Sequence, residues 1–287
     1  MNALWMLLTC FLFATMGACV KSVGGHFNIG QIVGVRGLVP ALILGLWVLW
    51  QQRSLYSAHW KSHLYRSTAG TLSMLLYFLA ITHLPLATAV TLNNTSALFL
   101  AGILSFRQPP PRAVFGALAL GFAGVILVLQ PSFAQEQWVG AAYGLASAFL
   151  TCVAQLNLRE LGRAGEPEWR TVCIFSLTTA LLALPLALWL SSSAAQASEL
   201  EWGYLIAVGL CGGLGQLTLS RAFGRGRAIV TASVGYSTVI FSSLYGALLW
   251  GDRISLLSTL GIAMIIVASL ISTHPAVWRG HKAEHAD

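Results

Sequence analysis

Long apolar segments alternate with short polar stretches along the whole 287-residue chain. Each apolar segment is close to the roughly 20 residues that a helix needs to cross the hydrocarbon core of a membrane. The pattern predicts helices at residues 2–20, 29–50, 67–83, 86–106, 113–130, 138–157, 171–191, 202–220, 228–250 and 254–272. The predicted fold class is therefore an all-α integral membrane protein with ten transmembrane helices.

The same apolar rhythm returns about 142 residues later, as ALILGLW at 41–47 and ALPLALW at 183–189. Ten segments divide around this repeat as five and five, so the second half must enter the membrane the opposite way up. Inverted repeats of this kind are typical of carriers, with the site where the halves meet. The predicted domains are a five-helix repeat at 1–133, a second, inverted five-helix repeat at 134–273, and a short cytoplasmic tail at 274–287. Chance similarity between Leu/Ala-rich helices is the alternative.

Composition agrees with a membrane protein, because 56% of the residues are apolar and only 9% are charged. A soluble domain carries about 25% charged residues. The net charge of +7 does not predict nucleic-acid binding, because the cations cluster in short loops. One set of loops holds thirteen Lys and Arg residues and the opposite set holds two. The positive-inside rule then predicts a multi-pass protein of a bacterial-type inner membrane with both termini in the cytoplasm.

The remaining composition predicts no metal or cofactor chemistry. The five cysteines all lie in apolar segments, are odd in number and form no CxxC pair. There is no GxxxxGK[ST] motif for ATP. The first apolar segment lacks a basic leader, which favours a retained span over a cleaved signal peptide.

Three stretches resemble the ten-span EamA-type members of the drug/metabolite transporter superfamily. They are VRGLVPALILGLW (Val35–Trp47), YFLAITHLPLATAVTLNNTSALF (Tyr77–Phe99) and SRAFGRGRAIVTASVGYSTVIFSSLYGALLWGD (Ser220–Asp252). The second half ends its ninth span with Gly251–Asp252, similar to the family's "G-E", whereas the first half has SFRQPP there. The resemblance implies a ten-helix basket with a central cavity. It also implies alternating access for a small polar metabolite, commonly the export of amino acids or their relatives.

Arg36 is a basic residue inside a predicted span, seven residues from its start and so roughly 10 Å deep. A charge at a helix centre costs about 2.5–3.5 kcal/mol on insertion scales. None of the nine acids falls within a predicted span. Two interpretations stay open: Arg36 snorkels to the outer interface, or it faces the cavity and binds an anionic group. The absence of an acid in the first span, where related small multidrug resistance proteins carry a glutamate, favours an anionic, zwitterionic or neutral solute.

Polar residues inside the spans must find partners, so they are expected to face the bundle interior. They either join helices to one another or line a cavity. Polar clusters recur at one corresponding place in the fourth and ninth spans, which favours the cavity. The candidate substrate-binding residues are Arg36, Tyr77, Thr91, Asn93, Asn94, Gln155, Gln216, Ser233, Tyr236 and Ser237.

Prolines and glycines predict local geometry in the spans. Pro40 and Pro185 interrupt the second span of each half, as hinges or as static kinks. GxxxG spacing predicts close helix packing, either inside the monomer or between monomers of a homodimer. The pairs with this spacing are Gly30/Gly34, Gly140/Gly144 and Gly209/Gly213.

A secondary transporter is the function that the sequence favours, with a small-molecule solute and membrane lipid as partners and no nucleic acid. Two other classes remain as alternatives. A membrane-embedded enzyme would need acids or histidines at membrane depth for acid–base or metal work, and the pattern predicts none there. A non-transporting scaffold would have no clear use for an inverted repeat.

Overall fold

The chain folds into a bundle of α-helices, and the computed structural model describes residues 2–23, 25–84, 86–106, 111–130, 138–251 and 255–274. Over these ranges the chain forms twelve α-helices, one short 3-10 helix and no strand. The helices are α1 (Asn2–Val23), α2 (Ile29–Trp50), α3 (Trp60–His83), α4 (Leu86–Asn94), α5 (Ser96–Ser105), α6 (Arg112–Leu129), α7 (Trp138–Arg163), α8 (Glu168–Trp189), α9 (Glu199–Arg225), α10 (Ala228–Gly235), α11 (Ser237–Trp250) and α12 (Leu256–Thr273), with the 3-10 helix at Ala194–Gln196.

The bundle has the surface of a membrane protein. Among the described residues, eight helices are long and apolar enough to cross a membrane, counting α10 and α11 as one, and Ala89–Ser105 is a shorter apolar helix. Large apolar side chains face outward, and Leu248 and Trp189 are 80% and 88% exposed. Such surface is unfavourable in water and suits hydrocarbon. The prediction of an all-α membrane protein is confirmed, while the ten-span inverted repeat stays a prediction.

Two features of the helices differ from the sequence prediction. Helix α3 begins at Trp60 and not at residue 67, so Arg66 lies inside a helix and not in a loop. The reason is that its first two turns, WKSHLYR, are of mixed polarity, and hydropathy alone cannot distinguish such a helical turn from a loop. The predicted fourth and ninth segments are each broken, at Thr95 between α4 and α5 and at Tyr236 between α10 and α11.

Close helix pairs hold the bundle together: α1 with α9, α3 with α7, α2 with α8, and α6 with α12. Glycine permits several of these contacts, since a Cβ at Gly30 would overlap the backbone of Ala187 and one at Gly124 would meet the carbonyl of Gly261. The GxxxG glycines Gly30, Gly140 and Gly209 all pack against other helices of the same chain. Within the described chain, the spacing therefore serves packing inside the monomer.

Both prolines lie inside continuous helices, Pro40 in α2 and Pro185 in α8. Pro40 is buried, and a Cβ at Gly213 of α9 would lie 2.6 Å from its ring. The glycine therefore lets α9 approach α2 at the point where the proline removes a backbone hydrogen bond. This contact places the middle of α9 beside the residues of the candidate site.

Candidate functional site

Arg36 points into the helix bundle rather than toward the end of its own helix. Its Nε donates to Met16 Sδ of α1 at 3.3 Å, and its Nη1 donates to Met74 Sδ of α3 at 3.1 Å. A thioether sulfur is a weak acceptor. The guanidinium is thus oriented by two side chains that do little to satisfy it.

Arg66 lies in the same part of the bundle, and the sequence analysis missed it by assigning it to a loop. It is 4% exposed, its Nη2 donates to Gln216 Oε1 of α9 at 2.6 Å, and its guanidinium lies 3.9 Å from the ring centroid of Phe175 of α8. Its Nε is buried without a hydrogen-bond partner among the described residues. The sequence signal that could have located it is the absence of proline between Trp60 and His83, with only one glycine, which allows a single helix to run through this stretch.

The two arginines converge on α9. Gly212 faces Arg36 so closely that a Cβ there would lie 3.0 Å from Arg36 Cγ, and Gln216 accepts the Arg66 hydrogen bond. Gly212 and Gln216 are four residues apart, which places them on one face of the helix about 6 Å apart along its axis.

Neither guanidinium has a carboxylate partner in the described parts of the chain. The acids that form ion pairs there use other cations: Glu166 pairs with Arg170, Glu168 with Arg221 and Arg225, and Glu201 with His26. Removing charge from water without a partner is costly. The arrangement is thus suited to receiving an anion.

A hydroxyl-rich cluster joins α3, α4 and α7. Ser73 Oγ lies 2.6 Å from Thr151 Oγ1 and donates to the Ser147 carbonyl at 2.8 Å, while Ser147 Oγ donates to the Ser73 carbonyl at 2.8 Å. Asn93 Oδ1 is 3.4 Å from both Ser147 Oγ and Thr151 Oγ1. Asn93 thus borders this cluster between the helices.

The other predicted residues divide into two groups. Asn94 donates to the Val90 carbonyl of its own helix, Thr91 is buried, and Tyr77 packs against a small apolar cluster that includes Leu84. Ser237 is buried at the start of α11. By contrast, Gln155 Oε1 and the hydroxyls of Ser233 and Tyr236 are buried and have no hydrogen-bond partner among the described residues. The latter three have unused hydrogen-bonding capacity.

A network around Glu166 joins the stretch after α2 to the stretch before α8. Its carboxylate accepts hydrogen bonds from Ser57, from Arg170 Nη1 at 2.8 Å and from His59 Nδ1 at 3.4 Å, and lies 3.6 Å from His63 Nε2. Burial opposes ionisation, but the Ser57, Arg170 and His59 contacts outweigh it and lower the pKa of Glu166 to about 2. The carboxylate is therefore charged across the physiological range.

A cavity of about 320 Å³ opens beside this network, between the ends of α7, α8 and α9. Its lining includes Glu166, Thr171, Ser220 and Arg225. Ser220 is one helical turn from Gln216 on α9, so the cavity reaches toward the residue that holds Arg66. This end of the bundle combines an opening with an ion network.

Comparison with known proteins identifies the class. The sequence model of the EamA-like transporter family matches residues 1–130 and 138–273. The chain therefore belongs to the EamA-like transporter family, and the resemblance inferred from its motifs is confirmed. It is a membrane transporter by family.

Relatives of this chain carry transporter names. It is 31% identical to the pseudopaline exporter CntI of Pseudomonas aeruginosa over 94% of each chain. It is 25% identical to a riboflavin transporter of Brucella anthropi, over 92% of this chain and 95% of the relative. A protein crystal structure with 19% identity superimposes with a TM-score of 0.84 over 95% of this chain and 97% of the other. That last likeness concerns the fold alone.

Proposed function

We propose that this protein is a secondary transporter that exports a small polar metabolite, amino acid-like, zwitterionic or anionic, by alternating access. The observation that carries the proposal is the pair of guanidiniums, Arg36 and Arg66, oriented inside the bundle without a carboxylate partner among the described residues. Ionisable groups inside membrane helices usually mark a substrate or ion pathway. The names of the exporter and transporter relatives support the direction and class.

Two features support a ten-helix inverted repeat around a central site, with repeats at 1–133 and 134–273. The breaks at Thr95 and Tyr236 fall at matching places in the two halves. Discontinuous helices commonly line the sites of transporters built from inverted repeats. In such a repeat, α1, α2, α3 and α6 correspond to α7, α8, α9 and α12. The α1–α9 pair then corresponds to the α7–α3 pair, and the α2–α8 and α6–α12 pairs each join a helix to its own counterpart.

The proposed location is the bacterial inner membrane, with both termini and the tail 274–287 in the cytoplasm. Leaving out Arg66, which is buried inside the bundle, still gives twelve basic residues against two in the sequence count, so the charge bias persists. In this orientation the Glu166 network and its cavity lie on the cytoplasmic side. A homodimer remains a further prediction.

The alternative of a membrane-embedded enzyme rests on the His63–Glu166 contact, the one place where the described chain brings a buried histidine near a carboxylate inside the bundle. The Glu166 oxygens are already engaged by Arg170, Ser57 and His59. A group held in three hydrogen bonds is poorly placed to exchange a proton with a substrate. Transport is therefore the function that the geometry supports best.

Solute flux in proteoliposomes tests the proposal. Wild-type protein, Arg36→Ala and the control Arg53→Ala, which alters an exposed arginine, would be assayed with labelled amino acids and organic anions. We expect wild type and Arg53→Ala to move at least one solute. Arg36→Ala should reduce that flux about tenfold or more, because it removes one charge-assisted hydrogen bond to the solute. The proposed transport function is contradicted if folded wild-type protein moves none of the solutes, or if Arg36→Ala moves them as fast as wild type.

A further inference from the structure

The arrangement around α9 indicates what kind of solute the site takes. Arg36 reaches α9 from α2 at Gly212, and Arg66 reaches it from α3 at Gln216. The two side chains come from different helices and meet the same face of a third one, on neighbouring turns. Their proximity is therefore a property of the tertiary fold.

Within the described ranges, most hydrogen-bond donors of the two guanidiniums are unused. A guanidinium has five N–H donors in a planar fork. Arg36 places two of them on thioether sulfurs, and Arg66 places one on Gln216 while its Nε is buried without a partner in the described chain. A carboxylate fits such a fork through two parallel hydrogen bonds.

The local shape also keeps Arg66 available. Its guanidinium stacks on Phe175, and a Cβ at Gly70 would lie 2.8 Å from its Nη1. The stack fixes the plane of the guanidinium, and the missing side chain of Gly70 leaves the room that the guanidinium itself occupies. A side chain held in one orientation loses little further freedom when it binds a ligand.

Charge decides between one carboxylate and two. Two guanidiniums on neighbouring turns of one helix face repel each other. A single carboxylate would leave one guanidinium without an anionic partner, whereas two carboxylates give each guanidinium its own partner.

We propose that Arg36 and Arg66 form a two-guanidinium site for a solute that carries two carboxylates, either a short dicarboxylate or an amino acid with an acidic side chain. This proposal rests on the transport function above and specifies its substrate class. One carboxylate binds each arginine, beside Gly212 at Arg36 and beside Gln216 at Arg66.

Matched acid and amide probes test the site in purified protein. The pairs are glutarate with its monoamide and L-glutamate with L-glutamine, with dissociation constants measured by titration and by thermal shift. We expect wild type to bind each diacid at least tenfold more tightly than its amide. Arg36→Gln and Arg66→Gln should each lower this preference about tenfold, while Arg163→Gln, at an exposed arginine, should keep it.

Arg66→Lys serves as the conservative variant in case Arg66→Gln does not fold. Lysine keeps the charge but loses the fork, so a partial preference of diacid over amide is expected. Equal binding of diacid and amide in wild type overturns the proposal, as does a full preference in both Arg36→Gln and Arg66→Lys. Each folded variant should match wild type in its unliganded melting midpoint within a few degrees.

Proteoliposome flux separates this proposal from the proposed function. If the protein binds diacids more tightly than amides but moves no solute, the transport function is rejected and the two-guanidinium site is retained. Flux of neutral or monocarboxylate solutes that Arg66→Gln leaves unchanged would keep transport and reject the site. Flux of diacids that both arginine variants reduce supports the two together.

Discussion

At the scale of single residues, the sequence located one of the two arginines of the proposed site. Arg36 was identifiable because it interrupts an apolar run. Arg66 was not, because it follows six residues of mixed polarity that hydropathy assigns to a loop. Gln216 was named as a candidate, but its partner could not be named, since the Arg66–Gln216 contact joins residues 150 positions apart. Periodicity reports which side of a helix is polar and not which distant helix it faces.

Glu166 gives a prediction that depends on pH. Its contacts with Ser57, Arg170 and His59 lower its pKa to about 2 from an ordinary value near 4.5. A depressed carboxyl pKa adds stability that is fully present above the unfolded pKa and is lost as the pH falls toward the folded one. We expect Glu166→Gln to lower the free energy of unfolding at pH 7 by about 1–3 kcal/mol, and the deficit to shrink between pH 4.5 and pH 3.

Thermal unfolding in detergent at pH 7, 5 and 3 measures this deficit. Glu160→Gln is the matched control, because Glu160 is an exposed acid near the same end of α7. The control should stay within about 0.5 kcal/mol of wild type at each pH. A deficit for Glu166→Gln that is the same at pH 7 and pH 3 would rule out the carboxylate charge as its cause.

At the scale of helices, apolar length predicted where helices lie but not where they break or how close they come. The breaks at Thr95 and Tyr236 occur within otherwise continuous apolar segments. Asn93, Asn94 and Thr95 have modest helix propensity, which made a break conceivable without fixing its position. Glycine spacing predicted close packing, but only the structure identifies the partner helix.

The contact between α7 and α9 yields a prediction about packing. Gly162 and Gly224 face each other so closely that a Cβ at Gly162 would overlap the Gly224 backbone. A methyl group there forces the two helices apart at the rim of the cavity. We expect Gly162→Ala to lower the free energy of unfolding by about 1–3 kcal/mol, the usual cost of overpacking.

Gly203→Ala provides the control for this substitution, because a Cβ at Gly203 of α9 meets nothing within 4 Å. Both changes raise helix propensity equally, by up to about 1 kcal/mol. Gly203→Ala should therefore be neutral or stabilising in a chemical or thermal melt of the detergent-solubilised protein. Equal melting midpoints for the two variants would show that α7 and α9 are not in close contact at Gly162.

At the scale of the whole molecule, the sequence repeat and the helix packing point to the same pseudo-symmetry by independent routes. The repeat compares residues 41–47 with 183–189. The packing compares helix pairs, and the α1–α9 pair corresponds to the α3–α7 pair. The charges break this symmetry, since Arg36 and Arg66 both lie in the first half. The all-α membrane fold was predictable from the apolar segments and the inverted repeat stays a proposal, whereas the pairing of Arg36 and Arg66 on α9 required the fold.

The proposed orientation can be tested by placing single cysteines on opposite faces. Ala164→Cys lies in the exposed stretch after α7, and Gln196→Cys lies in the exposed 3-10 helix between α8 and α9. Because α8 separates these positions, they must lie on opposite sides if it crosses the membrane. The charge bias predicts that Ala164→Cys faces the cytoplasm.

A membrane-impermeant thiol reagent added to intact cells should therefore label Gln196→Cys at least tenfold faster than Ala164→Cys, and both variants should react after permeabilisation. Cys10, Cys152 and Cys173 are buried, whereas Cys19 and Cys211 are half-buried, so both variants are made in a Cys19→Ser, Cys211→Ser background. The reverse labelling pattern would place both termini outside, and equal labelling in intact cells would mean that α8 does not span.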